Sequence, residues 1–277
     1  MKRFALYVGI VATMASSCSI RDDIPVAPQM FYASIEQSAI DTKVYSNEAL
    51  HLCWTADDRV SLFNNSTYNQ QYRFTGETGD SAGGFTKVDT DEFVTGREIP
   101  HVVSVYPYRS STRISENETL TITLPSEQYY AENTFGLGAN TMVSVSSDDY
   151  LQYKNVSGYL RISLFGEGIS VSSIKLEGNT GEKLAGKTTV TMPLEGVPSV
   201  RMADDGAMDL TLVCEKPVTL GATADKSTAF WFVVPPCVFS NGFTVTIFHS
   251  GEEVKISTFN TITIERNRLT KMSPIGI

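Results

Sequence analysis

Apolar and polar residues alternate along most of this chain, and the alternation predicts strands. In Leu120–Leu124 the side chains of Leu120, Ile122 and Leu124 share one face, and Thr121 and Thr123 share the other. Pro125, which has no N–H for a ladder, closes the segment. The same reading predicts strands at Phe31–Glu36, His51–Phe63, Gln71–Thr75 and Val102–Tyr108. Further on it predicts Tyr159–Phe165, Ser172–Leu176, Lys187–Met192 and Asp209–Cys214. Phe230–Val234 is apolar on both faces, which predicts a central strand ended by Pro235 and Pro236. Phe243–Phe248 and Glu253–Thr258 flank His249-Ser250-Gly251-Glu252, a hairpin signal, and Thr261–Ile264 is a late strand. From residue 30 onward no 3.6-residue period lasts beyond two turns. Strand signals recur about every ten residues with Gly, Asn, Asp, Ser and Pro between them, which predicts an all-β sandwich or barrel.

The first residues follow another pattern. Lys2 and Arg3 precede Phe4 to Ala15, an apolar run of signal-peptide length and too short to span a bilayer. Ala15-Ser16-Ser17-Cys18 then resembles a bacterial lipobox, which predicts lipid attachment, such as palmitate, at Cys18. The alternative is an ordinary signal peptide with a chance cysteine. Ser19-Ile20-Arg21-Asp22-Asp23 resembles the surface-export signal of Bacteroidetes lipoproteins, or is a plain solvated tether. Pro25 and Pro28 keep the next residues extended. The expected organisation is a signal peptide at 1–17, a lipidated tether at 18–29, and β-sandwiches at 30–149 and 150–277. The break is set by the polar, Gly/Asn/Ser-rich stretch from Ala131 to Asp149.

Several motifs follow one another in order. They are Trp54-Thr55-Ala56-Asp57-Asp58-Arg59-Val60-Ser61-Leu62-Phe63, Tyr72-Arg73-Phe74-Thr75, Val105-Tyr106-Pro107-Tyr108 and Leu124-Pro125-Ser126-Glu127-Gln128. Tyr153-Lys154-Asn155-Val156-Ser157-Gly158-Tyr159-Leu160 opens the second half. This order resembles the fimbrillin-like family of Bacteroides and relatives, which includes type V pilins and Mfa-like proteins. The match runs through most of the chain, with Asp57 where Gly is common and Tyr153 where Phe is. The resemblance implies two tandem transthyretin-like β-sandwich domains in a lipoprotein of the cell outer membrane. It implies a pilus subunit or an accessory (anchor or tip) adhesin, partnered by other pilus subunits through strand exchange or by a host or bacterial surface ligand. The rival reading is a monomeric glycan-binding surface lipoprotein of a nutrient-uptake system. In type V pilins, as the resemblance implies, an Arg-specific protease removes the first strand. Here the next Arg after Arg21 is Arg59, with Lys43 the only basic residue between. An anchor or tip role is therefore favoured over a shaft subunit.

Composition narrows the function classes. The net charge of −9 excludes an electrostatic nucleic-acid binder. His51, His101 and His249 have no metal-ligand spacing, C-x-x-C and G-x-S-x-G are absent, and no enzyme, catalytic residue, metal or cofactor is expected. Asp57-Asp58, Asp148-Asp149 and Asp204-Asp205 read as solvated turns, the last with too few ligands for a calcium loop. With Cys18 lipidated, Cys53, Cys214 and Cys237 remain. Cys214 and Cys237 form a bridge, or all three are small core residues. Tyr129, Tyr130, Tyr106 and Tyr108 are candidates for stacking on sugars, against ordinary packing aromatics.

Overall fold

The structure is a computed structural model that describes residues 29–37, 52–88 and 96–277. The predicted signal peptide, Cys18, most of the tether, Lys43 and His51 lie outside the described residues. The fold is all-β. In chain order the first strands are β1 Met30–Ile35, β2 Arg59–Ser66, β3 Gln70–Phe74, β4 Ala82–Lys87, β5 Glu98–Tyr106 and β6 Arg113–Ile114. Next come β7 Leu120–Leu124, β8 Glu127–Ala131, β9 Thr134–Phe135, β10 Met142–Ser146 and β11 Tyr150–Asn155. The second half supplies β12 Gly158–Phe165, β13 Ser170–Gly178, β14 Gly186–Thr191, β15 Ser199–Met202, β16 Asp209–Thr219 and β17 Thr228–Val234. The last are β18 Cys237–Phe239, β19 Phe243–His249, β20 Glu252–Ser257, β21 Ile262–Ile264, β22 Leu269–Lys271 and β23 Ile275–Gly276. Among the described residues a 3-10 turn at Ala224–Lys226 interrupts them. Among the described residues no helix is long and apolar enough to cross a membrane.

Seven strands close a barrel in the order β1-β11-β10-β5-β2-β3-β4. Its interior holds Phe31, Trp54, Tyr72, Phe74, Phe85 and Tyr153. The Trp54 ring lies 5.1–5.7 Å from those of Phe74, Phe85, Tyr106 and Tyr153, so aromatic area dominates this core. Trp54 is not in a strand. The expected strand over His51–Phe63 starts only at Arg59, because Asp57 takes φ 65° and the Asp58 carboxylate accepts the Thr55 N–H at 2.7 Å, making a turn.

A sheet ordered β15-β14-β7-β6 covers one outer face of the barrel. Leu120, Ile122 and Val190 pack there against Phe63, Val103 and Val143. A second sandwich faces β17-β12-β22, with β23 beside β12, against β20-β19-β13-β16-β8-β9. Residues 148–150, where the organisation is expected to change, close the turn from β10 and begin β11. The strand β11 returns to the barrel, antiparallel to β10 and parallel to β1. Pairing also links the first half to the second, β7 with β14 and β8 with β16.

The strand Thr228–Val234 is an edge of its sheet, not the central strand expected. It pairs with β12 alone on that path. Both its faces are nonetheless buried, Phe230 and Phe232 in the sandwich and Trp231 and Val233 beneath Ala139 and Phe135. Its free edge is capped by a side chain. The Gln128 amide donates to the Val233 carbonyl at 2.7 Å and accepts the Val233 N–H at 2.9 Å, standing in for a neighbouring strand.

Candidate functional site

The strand β1 follows directly on the segment expected to be a tether. Phe31, Ala33 and Ile35 point into the barrel and are buried, and Tyr32 and Ser34 point out. β1 pairs antiparallel with β4 over Met30–Ser34 and parallel with β11 over Tyr32–Ile35. Phe31 also meets the Tyr72 ring edge-on at 5.4 Å.

A polar clamp fixes the end of β1 to the second half. Arg266 donates to the two Glu36 carboxylate oxygens at 2.6 and 2.9 Å and to the Asn155 carbonyl at 3.1 Å. Both side chains of this pair are about one-fifth exposed, at 19% and 23%. Asn155 is fully buried. Its amide donates to Asn267 at 2.7 Å and its oxygen accepts from Asn140 at 2.6 Å. Asn267 donates in turn to the Gln37 carbonyl at 3.0 Å. The chain must pass tightly here, since a Cβ on Gly158 would stand 2.1 Å from the Glu265 carbonyl. The sequence flagged Asn155 and Gly158 as turn chemistry. It gave no sign of Glu36, Arg266 or Asn267, whose partners lie more than a hundred residues away.

Of the two arginines considered for cleavage, Arg21 lies outside the described residues. Arg59 is exposed but opens β2, a strand paired on both sides.

The candidate tyrosines separate. Tyr130 packs on Phe230 and Tyr106 on Trp54. Tyr106 donates its hydroxyl to Asp58 at 3.1 Å, and burial, followed by the Asp58 charge, pushes its pKa well up. Tyr108 is half-buried, and Tyr129 is exposed and bonded to Glu127. The aromatic pair that stands out was not singled out from sequence. Tyr32 and Tyr150, opposite each other on β1 and β11, stack with centroids 5.6 Å apart and remain 49% and 70% exposed.

The three described cysteines are free. Cys214 is buried, and burial pushes its thiol up to about 11; Cys237 is half-buried and raised to about 12. Cys53 is exposed rather than core, because its neighbour Trp54 takes the inward position. Among the described residues no group of three or more His, Cys, Asp and Glu could hold a metal ion. Asp57-Asp58 lies at the turn before β2. Asp148 caps the Tyr150 N–H at 2.9 Å, and those bonds lower its pKa.

No family model matches the chain, and no curated protein does. Among solved structures it is similar to a proposed cell adhesion protein of Bacteroides ovatus, with 13% identity and a TM-score of 0.48 over 86% of this chain and 88% of that one. It is similar to a proposed cell adhesion protein of Bacteroides fragilis, with 10% identity and a TM-score of 0.46 over 89% and 92%. It is similar to the tip fimbrial protein Mfa3 of Porphyromonas gingivalis, with 8% identity and a TM-score of 0.32 over 88% and 94%. These similar structures are thus proposed cell adhesion or fimbrial proteins, from Bacteroides and Porphyromonas.

Proposed function

We propose that this chain is a lipoprotein of the outer-membrane surface, anchored through Cys18, that acts as an accessory subunit, anchor or tip, of a fimbria and mediates adhesion. Its role is binding rather than catalysis. The ordered motifs from Trp54 to Leu160 support it, and so does the export signal before Cys18. Their structural use supports it as well: Trp54 fills the barrel, Gln128 caps β17 and Asn155 centres the clamp. Separate apolar clusters in the barrel and in the second-half sandwich support reading two tandem transthyretin-like domains that exchange strands across residue 150.

The observation that carries the accessory role is the seating of β1. It is paired on both edges and clamped by Arg266, and Arg21 is the only Arg between residue 3 and Arg59. Cutting after Arg21 frees the tether and leaves β1 in the barrel. Cutting after Arg59 destroys β2. Partner subunits would then add an extended segment to an edge elsewhere on the molecule. The test treats soluble protein beginning at residue 19 with an Arg-specific protease. Loss of the tether without SDS-resistant ladders is expected. Ladders with a new N-terminus between residues 30 and 60 would restore a shaft role. Cys18→Ala should move the protein from the membrane to the soluble fraction, and an unmodified Cys18 in the mature protein overturns the anchor.

A further inference from the structure

The outer face of β4, β1 and β11, which no described strand covers, holds an open trough of about 420 Å³. Its floor is Ala82, Gly83 and Ser34, its far side Gln152, and its wall the stacked Tyr32–Tyr150 pair. Register explains the shape. Tyr32 stands between Gly84 and Tyr150, and one step along Ser34 stands between Ala82 and Gln152. The tall rings of Tyr32 and Tyr150 in one row and the short side chains of Ser34 and Ala82 in the next leave a step between them.

We propose that this trough is a binding subsite for a neutral glycan, with a pyranose ring stacked against the Tyr32–Tyr150 wall. Three observations fix the ligand class. The seven lining residues carry no charge, on a molecule whose net charge is −9. The side chains of Tyr32, Ser34, Tyr150 and Gln152 make no hydrogen bond among the described residues, so they present hydroxyl and amide groups to a ligand rich in hydroxyls. β1, which runs through the middle of the trough, is paired with β4 on one side and β11 on the other, so its floor offers an extended peptide no free backbone edge. A pyranose has an apolar C–H face and a polar rim, which match the ring wall and the polar floor. The inference names a ligand class for the adhesive reading and rests on it.

The test titrates the whole mature protein, extracted in a sugar-free zwitterionic detergent, with maltohexaose, cellohexaose, xylohexaose and mannohexaose. Binding of at least one is expected. Tyr150→Ala should weaken it by at least about tenfold, and Tyr150→Phe should change it by less than about threefold. Ala82→Glu, which raises a charge from the floor, should abolish it with the fold intact by circular dichroism. No binding by the wild type overturns the proposal, as does binding indifferent to Tyr150→Ala. Self-association that Tyr150→Ala abolishes, without sugar binding, would make the face an interface between copies. Adhesion of cells that persists in Tyr150→Ala leaves the adhesive reading standing while this inference falls.

Discussion

Asp58 shows how one side chain serves local geometry at an electrostatic cost. Its carboxylate holds the turn before β2 and receives the Tyr106 hydroxyl, yet burial outweighs those bonds and raises its pKa. The native state therefore binds this proton more tightly than the unfolded chain does. Stability from this group is greatest below the unfolded value of 3.8 and falls as pH rises through the higher native pKa. Asp58→Asn should remove that slope. Urea denaturation at several pH values checks this, the variant gaining relative to the wild type as pH rises. The sequence identified Asp57-Asp58 as a turn but not the interruption of the strand, since a cap contact depends on where Thr55 already sits. It also placed Cys53 in the core. Adjacent residues in extended chain face opposite ways, and once Trp54 is inside, Cys53 is outside.

Among the elements, alternation located strands well because one buried face leaves a period of two, as at Leu120–Leu124. It said nothing of neighbours. Val233 and its strand look central by burial, but burial on both faces counts layers and not hydrogen-bonded partners. The missing partner is a glutamine more than a hundred residues upstream. Gln128→Leu keeps much of the volume and leaves a buried N–H and C=O unpaired, so it should cost about 1–3 kcal/mol in chemical denaturation. Amide exchange at Val233 should quicken more than at its strand neighbours. The Tyr32–Tyr150 wall was equally invisible, since only the parallel pairing of β1 with β11 makes it.

At the scale of the whole molecule, the two halves share sheets as well as a clamp. A fragment of residues 150–277 contains β11 without β1 or β10, β14 without β7 and β16 without β8. It should be soluble only poorly and lack a cooperative thermal transition. A sharp transition in calorimetry would show instead that those edges are dispensable. Arg266→Met leaves the Glu36 carboxylate and the Asn155 carbonyl short of donors, and about 1–3 kcal/mol should be lost. Limited proteolysis within residues 29–37 should then accelerate relative to the wild type.

The parallel pairing of β1 with β11 also sets an order of events during synthesis. A chain emerges N-terminus first, so β1 appears early, and its parallel neighbour follows only after more than a hundred further residues. Arg266, which secures Glu36, arrives 230 residues after its partner. Until β11 is made, β1 has at most its antiparallel neighbour β4, with one edge and the apolar row Phe31, Ala33 and Ile35 uncovered. Such long-range closure is slow and leaves a sticky nascent segment. This protein should therefore depend on a holding chaperone until β11 and Arg266 are made, and nascent chains truncated before β11 should be the species that such a chaperone retains.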